Sequence, residues 1–545
     1  MGSDIDILSD WDNFPKEKTA LPEAAGISEY SVSSIIPHNN EAFNNLLEIS
    51  PGTERINDTT AMQNRPKKSS SEVLIGLVTS RKIKLFPNEH NDAFISFDMK
   101  GHTQTHPVES KAVKLWLNGI YYKFTGKTIG ADSVKQVIAA LSAKAIFEEN
   151  LPKQVYTRIA RDKKAFWYDL SNPKWQAVKI TPSGWSISDK SDVHFRRFGH
   201  QEAQVQPSRD GDLRKVLDYV PLKGKTYEIL FLVWLVSTLI PGIPRPMPIF
   251  YGEKGAAKTT TCEFLKSIID PSMLKTLYLS KDMRTLAVNF DQHLFLPFDN
   301  LSYLSDEVSD MLSRAITGGG IQQRTLFTNA DDTVFSFQKI IALNGINNVA
   351  TRPDLLDRSV LFELERIPEE KRAELSKLQA DFEESKPIIL GGILDILSKA
   401  MCAYPDVELD MLPRMADFTR WGYAIAEAIE KGAGNDFLAE YEQNRKSQND
   451  EAIRNDPLAT LLVVFMQDKS DWSGTPTELY SLLKSLAHSQ EINTSDKSFP
   501  KDPARLSRRL NGIKSNLEAV GIHFNKAKSG ERNIELRNDR LNPFV

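Results

Sequence analysis

From Val108 to Phe147, apolar and polar positions alternate at helical spacing, with a break around Thr125 to Gly130. Shorter apolar runs follow at Val155 to Ile159, Ala165 to Leu170, Trp175 to Ile180 and Gly184 to Ser188; turn signals separate them, and they read as strands. The longest apolar run begins at Ile229 and reaches Tyr251, which is membrane-spanning length, but Pro241, Pro244, Arg245, Pro246 and Pro248 interrupt it. It predicts a helix ending near Pro241 and then a short buried strand, Met247 to Tyr251. Strands and helices alternate to about Leu364, and residues 369 to 456 read as almost wholly helical. The last segment reads as helices over Asp456 to Met466, Pro476 to Ser489 and Pro503 to Val520, then a hairpin with arms Ile522 to Phe524 and Asn533 to Leu536. Residues 1 to 70 are rich in Ser, Asn, Pro, Glu and Asp with no sustained period, and are expected to be a mobile acidic tail.

These patterns predict a multidomain α/β chain: the tail (1–70), a basic α+β accessory domain (71–207), an α/β core with a parallel sheet flanked by helices (208–366), a helical lid (367–456) and a C-terminal domain (457–545). In that last domain, three helices followed by a hairpin suit a winged helix.

Composition changes this picture little, with 41% hydrophobic and 26% charged residues among 545, ordinary for a soluble globular protein. The two cysteines, Cys262 and Cys402, cannot supply a disulfide framework or a paired-cysteine zinc site. With no basic and apolar leader at the start, a reducing cytoplasm and no membrane are expected. Charge is more informative by region than in total. The net is −4, yet residues 1–40 hold two basic and seven acidic residues, residues 81–200 hold 20 basic against 11 acidic, and residues 501–532 hold eight against three. Basic blocks on both sides of the core suit a polyanion, or solvate helix faces.

The chemistry concentrates after Tyr251. Gly252, Glu253, Lys254, Gly255, Ala256, Ala257, Lys258, Thr259 and Thr260 join the buried strand to a helix expected over Thr261 to Ile269, the pattern of a phosphate-binding loop. Such a loop converges backbone N–H groups and a helix N-terminus on phosphate oxygens, with Lys258 reaching the outer phosphates and the Thr259 hydroxyl placed to ligate Mg²⁺. Ala257 stands where a glycine is usual, so a methyl group must be accommodated. The strand His293 to Phe298 ends in Asp299, an arrangement that supports Mg²⁺ beside the glycine-loop strand. Asn300 replaces the usual catalytic Glu, leaving water activation to Asp299, to Asn300 as an orienting group, or to another residue such as Glu307. A third apolar strand ends in Asn344, which could bond the attacking water or the γ-phosphate, or cap the following turn. Arg358 precedes the strand Val360 to Leu364 and could serve as an arginine finger across a subunit boundary, or pair with Asp354 or Asp357.

In this order, the glycine loop, Asp299, Asn300, Asn344 and Arg358 resemble the AAA+ ATPases, specifically the superfamily 3 and D5-like helicase branch of phages and mobile elements. The stretch from Ala315 to Phe335 resembles the extra hairpin of that branch. The resemblance implies ATP and Mg²⁺ as cofactors, a ring of six subunits with ATP between neighbours, Arg358 supplied in trans, and hairpins gripping DNA. It implies a helicase or replication initiator; the alternative is a nucleotide-switched DNA-binding or assembly ATPase that does not unwind. The expected hairpin tip, around Asp331 and Asp332, is acidic, which moves phosphate contacts to Arg324 at the hairpin base or to Lys339, and leaves a protein substrate open. Arg414 and Arg420 touch nucleotide phosphate or pair with Asp410 and Asp417. Arg505, Arg508, Arg509 and Lys514 are expected on one DNA-reading helix, with Lys526, Lys528 and Arg532 on the wing. Phe166, Trp167, Tyr168, Trp175 and Trp185, among basic residues, either stack bases or form core.

Overall fold

The structure, a computed structural model, describes residues 68–545 apart from 149–150, 302–303, 325–331, 337, 346–351, 369, 371–373, 455, 491, 493–498, 527–532 and 542–545, with backbone alone for 320–324, 332–336, 353 and 526. The expected tail, but for residues 68–70, lies outside the described residues, as does the acidic hairpin tip up to Asp331. The chain forms two compact units, one ending at Thr181 with Ser186–Gly199 added, the other comprising Pro182–Trp185 and His200 onward.

In the first unit, helices Ser70–Thr79, Lys111–Thr125 and Ala131–Phe147 share a core with an antiparallel sheet of Ile83–Pro87, Ala93–Met99 and His102–Pro107. The break expected near residue 126 is Gly126, whose φ of 68° closes the second helix in the left-handed region. Strands Ile159–Arg161, Phe166–Asp169 and Ala177–Thr181 pair antiparallel. Phe166, Trp167 and Tyr168 are buried side chains of this sheet, so they are core and present no stacking platform.

The second unit is built on a four-stranded, wholly parallel sheet in the order Phe295–Leu301, Ile340–Gly345, Met247–Tyr251, Ser359–Glu363. Both faces are covered, so the strands read as continuous apolar runs without alternation. The strand ending in Asn344 and Gly345 lies between the Asp299 strand and the glycine-loop strand. The helix after the loop starts at Lys258, a turn earlier than expected, and buries Cys262, Phe264, Leu265 and Ile268.

Helix Glu228–Ser237 is enclosed by the helical region, its residues from Leu230 to Val236 having no exposed surface. Helix Leu375–Ala403 has the length and apolarity of a membrane span, yet Ile389, Leu390, Leu394 and Leu397 are fully buried within this unit. Gly391 and Gly392 let the segment Ser208–Leu213 cross it in backbone contact: a Cβ on Gly392 would overlap the Leu213 nitrogen. Helix Ala433–Arg454 closes the open edge of the sheet. Asn444, fully buried, accepts from Leu361 N–H (2.8 Å) and donates to Leu361 C=O (2.7 Å), while Gln448 donates to Ser359 C=O (2.6 Å).

After Asp456, helices Pro457–Met466, Pro476–Ser489, Pro503–Gly512 and Lys514–Ala519 pack with a three-stranded antiparallel sheet. The helix expected to run from Pro503 to Val520 breaks at Ile513, which removes Lys514 from the helix that carries Arg505, Arg508 and Arg509. The hairpin arms are Ile522–Lys526 and Ile534–Asn538, and an unexpected strand, Asp471–Gly474, pairs with the second arm.

Candidate functional site

The glycine loop leaves the C-terminal end of Met247–Tyr251, where Tyr251 is half-buried, and leads into the helix from Lys258. Its first glycine is sterically required, because Gly252 has φ of 147° and a Cβ there would meet the Leu364 carbonyl at 2.5 Å. Ala257, φ 50°, takes the left-handed conformation as the N-cap residue. For a residue with a Cβ this costs roughly 1 kcal/mol, a local strain held by the surrounding turn.

Lys258 extends over the loop and donates to the carbonyls of Gly252 and Glu253, both at 2.8 Å. Partial burial lowers its pKa, with the Asp299 carboxylate opposing the shift. Thr259 Oγ1 donates to Asp299 Oδ1 at 3.1 Å, so the sheet brings together the two groups expected to hold Mg²⁺ across an intervening strand. Both are hard oxygen donors, the type Mg²⁺ prefers. Glu263, one turn along the helix from Thr259, is a further carboxylate near Asp299. Burial, then the Asp299 charge, raises its pKa. The sequence reading did not single it out. Glu307 is exposed in the first turn of helix Asp306–Thr317.

A register shift between Phe298 and Leu301 puts Asn300 in the left-handed region, φ 57°. Its N–H donates to Asn344 Oδ1 (2.9 Å), and Asn344 Nδ2 donates to Cys262 Sγ (3.7 Å). Asn344 is 2% exposed, and its amide braces the Asp299–Asn300 turn from beneath. Burial pushes the Cys262 thiol up to about 12, so it remains a neutral packing partner.

Arg358 joins Asp354 within its own chain: its guanidinium pairs with the Asp354 carboxylate and donates to the Asp354 carbonyl (2.6 Å), with only 12% of the side chain exposed. Arg414 bridges Asp354 (3.1 Å) and Asp357 (2.8 Å), so its partners lie at this turn and not at Asp410 or Asp417. Arg420 lies over the Tyr404 ring at 4.4 Å and donates to Val407 C=O (3.1 Å).

The expected DNA contacts separate into different environments. Arg324 stands opposite Asp332 in the backbone register, at the loop end of its hairpin and not at the base. Lys339 is half-buried near Asp291, Asp270 and Lys266, and burial lowers its pKa to about 8. Arg509 is tied to Asp456, the N-cap of helix Pro457–Met466. Arg505 pairs with Asp502 (3.3 Å), Lys514 pairs with Glu518 (3.6 Å), and Arg508 is exposed. Lys526 ends a strand, while Lys528 and Arg532 lie outside the described residues. Arg197 lies over Trp175 at 3.9 Å while bonding Asp169, and Trp185 is buried.

Among solved structures, the chain is similar to "SCCmec type IV Cch - active helicase" (10% identity, 84% of this chain and 94% of that chain, TM-score 0.45). It is also similar to "The A form apo structure of NrS-1 C terminal region-CTR" (11% identity, 87% and 100%, TM-score 0.34). Such likenesses assign no activity to this chain. No curated protein matches it. Residues 213–450 match the family model described as Actinomycete integrative conjugative element replication protein, and residues 458–542 match that of the AICE RepA C-terminal domain. The two matches run consecutively over more than half of the sequence, and the chain belongs to the replication proteins of actinomycete integrative conjugative elements.

Proposed function

We propose that this replication protein is a Mg²⁺-dependent ATPase that acts on DNA as a helicase or replication initiator, hydrolysing ATP at the interfaces of a homo-oligomeric ring, a hexamer. The observation that carries the reading is the 3.1 Å approach of Thr259 Oγ1 to Asp299 Oδ1 at the mouth of a strand–glycine loop–helix turn. A magnesium ion bound there would neutralise charge on the phosphates. The loop N–H groups and the helix N-terminus face the phosphates, and Lys258 exchanges the loop carbonyls for them. Asn344 fixes the Asn300 backbone, which aims the Asp299 carboxylate at Thr259. The order after Asp456, a helix, a strand, three helices and a hairpin, supports a winged helix, with Arg505 and Arg508 turned toward DNA.

A second reading, a nucleotide-switched DNA-binding or assembly ATPase without unwinding, draws on Arg358. In this chain it is held by Asp354 and largely buried, which favours slow turnover. Strand displacement on a forked duplex tests both readings. A motor unwinds the fork with ATP, and Lys258→Ala abolishes unwinding; a switch only retards the fork in a gel, with ATP changing the retardation. If Lys258→Ala leaves every ATP-dependent effect intact, the nucleotide reading fails.

A further inference from the structure

Residues 364–367 run along the glycine loop on the flank away from Asp299. Leu364 N–H donates to Tyr251 C=O (2.8 Å), the Leu364 carbonyl abuts Gly252, and Ile367 N–H donates to Gly255 C=O (3.3 Å). Arg366 lies between these contacts, with 55% of its side chain exposed. Its described partner is Glu253 of the loop, 78% exposed, at 3.9 Å from Nη1: a charge pair, too long for a hydrogen bond. The adjoining Lys223 is held closer, 2.6 Å from Glu363.

The geometry points to Arg366 as a phosphate-binding residue in cis that grips the α- and β-phosphates of the nucleotide from the side opposite Mg²⁺. Glu253 is its placeholder: a phosphate chain entering the loop repels that carboxylate and takes the guanidinium, whose planar fork of donors matches phosphate oxygens. Sequence spacing does not bring Arg366 to the loop, because it follows the fourth strand of the sheet and reaches the site only through the close approach of Leu364 to Gly252.

The inference rests on the ATPase reading, and calorimetric titration of the full chain with ADP and with ATP, in Mg²⁺, separates the two. The variants are Arg366→Ala, Arg366→Lys and Glu253→Gln. The expected result is a loss of about tenfold in affinity for both nucleotides in Arg366→Ala, a smaller loss in Arg366→Lys, and unchanged or tighter binding in Glu253→Gln. Two results overturn the assignment while leaving the ATPase reading intact: Arg366→Ala within twofold of wild type, or Glu253→Gln weakened as much as Arg366→Ala, which would make the pair a brace for the loop. A wild-type chain that binds neither nucleotide sinks both. An Arg366→Ala defect confined to ATP, with ADP unaffected, also overturns it, because the α- and β-phosphates are common to the two ligands.

Discussion

Lys266 is fully buried behind the candidate site, where it bonds Asp270 (2.7 Å), His293 Nδ1 (3.2 Å) and the Phe295 carbonyl (2.6 Å). The His293 ring lies 4.1 Å from that of His200, tilted by 41°, and burial, then the Lys266 and His200 charges, hold its pKa down at about 3. Because the unfolded chain protonates this ring near 6.5 and the folded chain does not, stability falls as the pH drops below 6.5, by up to about 1.4 kcal/mol per pH unit until about 3. Replacing His293 with Gln, which still accepts from Lys266, is expected to shrink the difference in thermal midpoint between pH 7.5 and 5.5. An unchanged difference would place the pH sensitivity elsewhere. None of this cluster was legible in the sequence, since it joins a helix, a strand and a loop that only the fold makes neighbours. The glycine loop and the places of Lys258 and Thr259 on it were legible, because a glycine loop after an apolar strand is a local pattern, whereas the approach of Asp299 to Thr259 comes from the sheet. For Arg358 the sequence left open a finger or a pair with Asp354 or Asp357; in the structure it pairs with Asp354.

Helix Ala433–Arg454 does for the sheet edge what another strand would do, through Asn444 and Gln448. Asn444→Ala would leave the Leu361 N–H and C=O buried without partners, at a cost of about 2–4 kcal/mol. Chemical denaturation of the variant reads this directly, and a loss under 1 kcal/mol would mean that water or backbone movement satisfies the edge. The parallel strands were readable as apolar runs, but their order was not: a crossover connection can land on either side of a strand, and only register shows that Ile340–Gly345 separates the glycine loop from Asp299. Strand Asp471–Gly474 is four residues with one large apolar side chain, Trp472, too short for alternation to register. The break at Ile513 follows Asn511 and Gly512, weak helix formers that the surrounding apolar spacing masked.

The charge asymmetry along the chain suits a DNA partner, yet its cations do not act alike. Arg509 pairs with Asp456, the N-cap of helix Pro457–Met466, whereas Arg508 and Arg505 are exposed. The double change Arg505→Ala with Arg508→Ala is expected to weaken duplex binding and lower the salt slope by about 2, with stability unchanged. Arg509→Ala is expected to lower the thermal midpoint. Equal effects of both sets on DNA affinity would contradict this division. At this level the sequence told most: the α/β core, the helical region and the replication role of a mobile element were all readable, because each is carried by long patterns or by a compact motif. Assembly is the part that one chain leaves to solution. The central claim is an ATP site built on Lys258, Thr259 and Asp299 at the interfaces of a ring. Steady-state ATPase against protein concentration, with and without single-stranded DNA, in the wild type and Lys258→Ala, tests it most directly. The account predicts a rate per subunit that rises with concentration and with DNA and is lost in Lys258→Ala. A slow rate, independent of concentration, indifferent to DNA and unchanged in the variant, would contradict it.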